Sequence, residues 1–181
     1  MVDKNLLHYV VATCILVREN KFLITKRADW EKAFPGKWTV PGGKLEVLDY
    51  VLVEKDTSSH WYNVIENLIK KEIKEEVGLD IKNINYVVSM VYIRPDKIPC
   101  LIISLWAEPV GEKIRLCNAL TDFKWITLQE AKNHDLIEGI YEELEILDKK
   151  FRHSAYPKNL NDGAKTGETY EWKKETSLQN L

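Results

Sequence analysis

Apolar and β-branched side chains run almost unbroken from Tyr9 to Val17. A polar triplet, Glu19-Asn20-Lys21, follows, and Phe22 to Thr25 is apolar again. This pattern predicts two strands joined as a hairpin. Ala28 to Lys37 reads as a polar loop carrying Trp30, Phe34 and Pro35, and Trp38-Thr39-Val40 as a short strand ending at Pro41-Gly42-Gly43. The period then changes. Ile65, Ile69, Ile73 and Val77 recur every four residues, one face of a helix, so a helix is expected from about His60 to Val77, with Gly78 as its stop. Asp56-Thr57-Ser58-Ser59 has N-cap chemistry, and Asn63 with Glu66 forms a second possible capping box. Tyr50 to Val53 reads as a short strand or a buried loop. Downstream, Ile84 to Ile93, Cys100 to Ala107 and Phe123 to Ile126 read as strands, with Arg94-Pro95-Asp96 a turn between the first two. A short helix is expected from near Leu128 and an amphipathic one from Ile137 to Phe151. Strands outnumber helices, and a glycine loop feeds one long helix. The expected fold is α/β, a mixed sheet covered by helices on both faces. Residues 1–156 are expected to form one domain and residues 157–181 a polar tail along its surface, anchored by Trp172.

Composition narrows the options without choosing among them. The chain has 181 residues, 45% hydrophobic and 30% charged, a length that suits one domain with a sizeable core. A net charge of −2 and a pI near 6.1 argue against a general nucleic-acid-binding surface, though not against a local phosphate pocket. No apolar run reaches the roughly 18 residues of a membrane span, and the N-terminus lacks a signal peptide's order of charge, so the cytoplasm is the expected compartment. Cys14, Cys100 and Cys117 are odd in number and scattered, which suits reduced core thiols better than a disulfide framework or a zinc site.

The candidate chemistry lies at the end of the long helix. Glu72, Glu75 and Glu76 stand at i, i+3 and i+4 and share a helix face, where like charges repel. A solvated surface with Lys70, Lys71 and Lys74 as partners is one reading. A divalent-cation site is the other, because Mg²⁺ takes oxygen ligands and usually arrives with a phosphate substrate. Upstream, Gly42-Gly43-Lys44-Leu45-Glu46 is a glycine turn that allows close approach of backbone to a ligand.

Together, Lys71-Glu72-Ile73-Lys74-Glu75-Glu76-Val77-Gly78-Leu79 and the run Gly36-Lys37-Trp38-Thr39-Val40-Pro41-Gly42-Gly43-Lys44-Leu45-Glu46 resemble the Nudix hydrolase signature, GX5EX7REUXEEXGU, in its MutT-like nucleotide branch. The resemblance covers roughly positions 9 to 130 and implies an α/β/α sandwich. It departs from the family pattern in two ways. The basic residue expected at position 57 is Lys71, so about 14 residues interrupt the motif, an insertion spanning about 49–62. That basic residue is also lysine where the family has arginine, a point charge in place of a two-pronged fork, expected to orient Glu75 or Glu46 less rigidly. Counted forward from Gly43, the motif's first glutamate falls on Asp49; counted back from Lys71, it falls on Asn63. Ala119 stands where many relatives carry a loop glutamate, with Asp122 the nearest carboxylate.

The resemblance implies that Glu72, Glu75 and Glu76, the Gly42 carbonyl and Glu46 hold Mg²⁺, with Mn²⁺ as a substitute. It implies Glu76 as the first choice of base and Lys71 as support. Arg27 would meet substrate phosphate, with Trp38 and Lys44 in the same region, and Trp61 and Tyr62, brought by the insertion, could line the substrate mouth. The implied activity is hydrolysis of a nucleoside triphosphate to a monophosphate and pyrophosphate. ADP-ribose or a nucleotide sugar is the alternative substrate, and a nucleotide-binding module with little catalysis the alternative class. Many relatives dimerise, so a homodimer is possible.

Overall fold

The computed structural model describes residues 6–153. The expected tail, with Trp172, lies outside the described residues. Seven strands, β1 (Tyr9–Arg18), β2 (Lys21–Arg27), β3 (Trp38–Thr39), β4 (Gly42–Lys44), β5 (Asp80–Ile93), β6 (Pro99–Val110) and β7 (Leu120–Ile126), form one mixed sheet. Among the described residues four helices accompany it: α1 (Leu48–Val51), α2 (Val64–Val77), α3 (Leu128–Ala131) and α4 (Ile140–His153).

The expected hairpin forms through a two-residue turn in which Glu19 and Asn20 both take positive φ, 50° and 60°, the geometry that suits the twist of the flanking strands. Past the turn β1 and β2 diverge. β1 runs parallel to β6 from Tyr9 to Leu16 and pairs its other edge with β4, Thr13 opposite Gly42. β2 pairs with β3 and, from Phe22 to Arg27, with β7. β1 therefore carries the glycine turn on its flank, and β2 carries Arg27 at its end.

Alternation along the strands makes two cores. Ala12, Cys14, Leu16 and Leu23 face α2 and meet Leu68, Ile69, Ile73 and Val77. Ile15, Phe22 and Ile24 face the opposite way and meet Ile140, Leu144 and Leu147 of α4. Each such buried aliphatic side chain contributes roughly 1.5–3 kcal/mol of transfer free energy. The result is the expected three-layer sandwich, with α2 on one face and α3 and α4 on the other. No helix among the described residues is long and apolar enough to cross a membrane.

Three local expectations are corrected. α2 starts at Val64 rather than His60, because Asn63 adopts a left-handed conformation, φ 54°, that breaks the helical path. Asn63 makes no side-chain capping bond, so the box with Glu66 does not form. Thr57 instead ties a local turn, its Oγ1 accepting from the His60 and Ser59 amides. Finally, Tyr50 and Val51 belong to the one-turn helix α1, which buries none of its residues, and Leu52 and Val53 are exposed.

Candidate functional site

α2 ends as its sequence predicts. Gly78 takes φ 73°, and its N–H donates to the Lys74 carbonyl. Two further carbonyls of the last turn are met from outside: Arg115 N–H donates to Val77 O at 2.9 Å and Cys117 N–H to Glu76 O at 3.0 Å. The 111–119 loop thus holds the end of the helix, and with it the backbone of Glu76.

From that fixed turn Glu76 reaches back to the glycine turn, where its Oε2 accepts the Gly42 N–H at 3.0 Å. Burial raises its carboxyl from the ordinary 4.5 to about 7. Glu72 pushes the same way, while the Gly42 bond and Arg27 oppose it. One turn earlier, the Glu72 carboxylate lies directly on Gly43. A Cβ there would meet its Cδ at 2.3 Å, so only glycine admits this contact. Burial also raises Glu72, opposed by Lys71 and reinforced by Glu75. Two carboxylates, each made costly to ionise, therefore converge on Gly42-Gly43. Carboxylate oxygens beside a peptide turn, with no thiolate or imidazole, are a donor set that fits a hard divalent cation, and such a cation would relieve both charges.

Glu75 and Glu46 do not join this pair. Both side chains are exposed, and among the described residues no group of three or more Asp, Glu, His or Cys side chains is assembled to hold a metal. Without an ion, Glu72 and Glu76 converge on the turn and Glu75 and Glu46 lie apart from them. On α2, like-charge repulsion at i+3 and i+4 favours keeping Glu75 in solvent.

Lys71 is also corrected. Its Nζ donates to Asp49 Oδ1 at 2.8 Å and lies 3.5 Å from Glu72, not against Glu75 or Glu46. The Lys71 ammonium holds the Asp49 carboxyl below its ordinary value. Asp49 also accepts the Glu46 N–H at 2.7 Å, which ties the end of the glycine turn to α2. Of the two candidates for the motif's first carboxylate, geometry selects Asp49. Asn63 lies at the helix entry.

Arg27 donates from Nε to Ala33 O at 2.7 Å and from Nη2 to Glu31 at 2.8 Å. It stands close enough to Glu76 to favour that residue's ionised form. Glu31, which sequence reasoning did not single out, opposes it; the signal available was its i+4 spacing from Arg27. Trp38 is corrected to a core residue. It is 8% exposed, packs with Ile24 and Leu147 in the α4 core, and meets His134 edge-on at 5.1 Å. Lys44 is exposed, with its Nζ 5.8 Å from the centre of the Tyr9 ring. Trp61 and Tyr62 line a depression of about 510 Å³ with the first residues of α2 and with Asn85, Tyr86 and Leu105. None of Arg27, Gly42, Glu46, Glu72 or Glu76 lines it, so the insertion opens a different hollow from the carboxylate pair. Ala119 uses its carbonyl to accept the Ala28 N–H, and Asp122 sits exposed on β7 opposite Lys26.

These features define a class, an α/β/α sandwich whose acidic helix is laid over a glycine turn. The NUDIX domain family model matches residues 7–145, and the chain belongs to that family. It is accordingly a pyrophosphohydrolase acting on nucleoside diphosphate-linked substrates, in a family whose members generally use divalent metals. No curated protein matches the chain. Among solved structures, a MutT NUDIX hydrolase from Burkholderia pseudomallei is similar at 19% identity and a TM-score of 0.60, over 78% of this chain and 98% of that one. The ORF135 protein of E. coli is similar at 19% identity and a TM-score of 0.62, over 88% of this chain and all of that one (100%). The NUDIX domain of Shewanella oneidensis NrtR, solved with ADP ribose, is similar at 14% identity and a TM-score of 0.61, over 80% of this chain and 88% of that one. At these identities the likenesses establish the fold.

Proposed function

We propose that this protein hydrolyses a nucleoside triphosphate to the monophosphate and pyrophosphate, with Mg²⁺ or Mn²⁺ held at the Gly42-Gly43 turn. The observation that carries this reading is the convergence of the Glu72 and Glu76 carboxylates on that turn, each raised above its ordinary pKa. The ion, when bound, supplies charge neutralisation for the phosphate oxygens and acidifies the attacking water. Glu72, Glu76 and the Gly42 carbonyl would hold it, with Glu75 and Glu46 as further candidate ligands. Arg27, braced by Ala33 and Glu31, meets the substrate's phosphates. Glu76 takes the proton of the attacking water on Oε1, since Oε2 is held by Gly42. Water's oxygen bonds to one phosphorus as the anhydride P–O bond breaks, and pyrophosphate leaves.

Glu75→Gln and Glu76→Gln test the assignment. Each should abolish metal-dependent release of pyrophosphate while leaving the circular dichroism spectrum intact. Unchanged turnover in both variants would refute it. A second reading, ADP-ribose or a nucleotide sugar, is favoured by the ligand in the similar NrtR domain. A substrate panel separates the two: release of AMP from ADP-ribose, with none of pyrophosphate from any triphosphate, selects the second. Binding without turnover of any member would favour a nucleotide-binding module, for which Lys71 and Ala119 are the motives.

A further inference from the structure

Arg27 is built into the loop that follows it. Its backbone N–H donates to the Lys37 carbonyl at 2.9 Å and closes the mouth of the loop 28–37. Its guanidinium turns into the same loop, where Nε donates to the Ala33 carbonyl at 2.7 Å and Nη2 to Glu31 Oε2 at 2.8 Å. Glu31 is fixed in turn. Its N–H donates to the Ala28 carbonyl at 3.1 Å, and the Ala28 N–H donates to the Ala119 carbonyl at 2.9 Å. The two held nitrogens of the guanidinium thus have different kinds of partner. Ala33 offers a neutral oxygen, which fixes the direction of the fork. Glu31 offers an anionic oxygen to a terminal nitrogen, the charge and geometry that a phosphate oxygen presents to arginine. Arg27 and Glu31 both act on the charge of Glu76, with opposite signs, which puts the pair beside the carboxylates at the Gly42-Gly43 turn.

We propose that Glu31 is a built-in competitor for substrate: it occupies Arg27 in place of a phosphate, and a di- or triphosphate binds by displacing it. This rests on the reading of Arg27 as the phosphate contact and adds what that contact costs. A role for Glu31 as a brace that preorganises Arg27 has the opposite sign, since its loss would then weaken binding. Redundancy and charge favour competition. The bond to Ala33 and the closure at Lys37 hold Arg27 without help from Glu31. Once displaced, the Glu31 carboxylate remains a negative charge beside the incoming phosphates. Its side chain is 29% exposed, so solvent screens that charge only in part. Lys71 does not relieve it, being engaged with Asp49 at 2.8 Å. The Arg27–Glu31 contact re-forms as a phosphate product leaves, so Glu31 weakens substrate and product alike.

Calorimetric titration of the full chain with inorganic pyrophosphate in Mg²⁺ reads the contact without turnover. Glu31→Ala should tighten pyrophosphate binding by up to roughly fivefold, the size of a partly exposed ion pair. Glu31→Gln should tighten it less, because its amide oxygen still accepts from Arg27 without the charge. Arg27→Ala should weaken binding at least roughly tenfold, as loss of a hydrogen bond to a charged group does. The KM of whichever nucleotide is turned over should fall in Glu31→Ala by the same factor as the pyrophosphate Kd. A crystal structure with pyrophosphate and Mg²⁺ should show Arg27 Nη2 on a phosphate oxygen and Glu31 turned away. Weaker binding in Arg27→Ala with no gain in Glu31→Ala overturns the competitor and leaves Arg27 as the phosphate contact. Unchanged binding in Arg27→Ala overturns both, while pyrophosphate release in Glu76→Gln still tests the reaction separately. Glu31 still on Arg27 with pyrophosphate bound, or no pyrophosphate binding by any variant, also overturns the proposal.

Discussion

Glutamine at position 143 should remove a pH dependence of stability that the fold builds into α4. Glu143 is 3% exposed, on the buried stripe with Ile140, Leu144 and Leu147, and its Oε2 accepts the Ser104 hydroxyl of β6. Burial raises its carboxyl from the ordinary 4.5 to about 7; the Ser104 bond opposes this and Glu142 adds to it. A carboxyl raised in the fold keeps its proton there to higher pH than in the unfolded chain. Between about pH 4.5 and 7 the folded state therefore binds more protons, and stability falls as pH rises. The stabilising share is whole below pH 4.5 and gone above 7. Its size is about 3 kcal/mol, from the separation of the two values. Glutamine keeps an acceptor for Ser104 and never ionises. Glu143→Gln should thus match the parent near pH 4.5 and exceed it by up to about 3 kcal/mol at pH 8, or roughly 6–12 °C in Tm for a chain of this size. Glu76 and Glu72 titrate in the same direction, so the quantity to follow is the difference between variant and parent in urea unfolding at each pH. A difference that stays constant from pH 4.5 to 8 would refute the reasoning.

Three further outcomes follow from the site. Gly43→Ala places a Cβ 2.3 Å from Glu72 Cδ; the carboxylate must swing away, and a displacement of that order should cost roughly 100-fold in kcat, with the midpoint of thermal unfolding little changed. Lys71→Arg should raise kcat, because a guanidinium can hold Asp49 and Glu72 together where the ammonium sits 2.8 Å from one and 3.5 Å from the other; in stability terms the half-exposed pair is worth about 1 kcal/mol, which a double-mutant cycle with Asp49→Asn measures. Trp38→Ala should behave as a core deletion, losing about 3–5 kcal/mol in urea unfolding while isothermal titration shows an unchanged nucleotide Kd for the protein that remains folded.

Periodicity made most of the frame legible. Ile69, Ile73 and Val77 are fully buried where a four-residue repeat put them, and Gly78 closes α2 because only a left-handed residue could follow the last turn. What sequence could not show depended on chain reversal. Trp38 looked available to a substrate because an aromatic beside a glycine turn suits a base platform as well as a core. Its burial depends on α4 returning beneath it, about a hundred residues later. Motif position points Lys71 to Glu75 or Glu46, whereas Asp49 is 22 residues away and meets it only through the path of the chain between them. Glu143 was hidden for a related reason. An acidic pair such as Glu142-Glu143 reads as solvated, and only Ser104 on a neighbouring layer makes its burial tolerable.

The insertion ceases to be an obstacle to the motif once its internal contacts are considered. Its ends are brought together by its own residues: Trp61 Nε1 donates to Val53 O at 2.9 Å, the Tyr62 N–H to Asp56 Oδ2 at 2.8 Å, and the Asp56 N–H to His60 O at 3.0 Å. Trp61 also packs on Tyr50 of α1, 5.3 Å between ring centres. Closing a longer loop is cheap, about 0.6 kcal/mol for each doubling of length, provided its ends meet in the right place. Here they do, and the extra length is taken up between Leu52 and Tyr62. Asp49 stays on the glycine side and Lys71 on the helix side, and their ion pair carries the register between the motif's two halves. The insertion thus closes on itself beside the carboxylate pair, and its aromatic residues Trp61 and Tyr62 line the separate hollow with Asn85 and Tyr86.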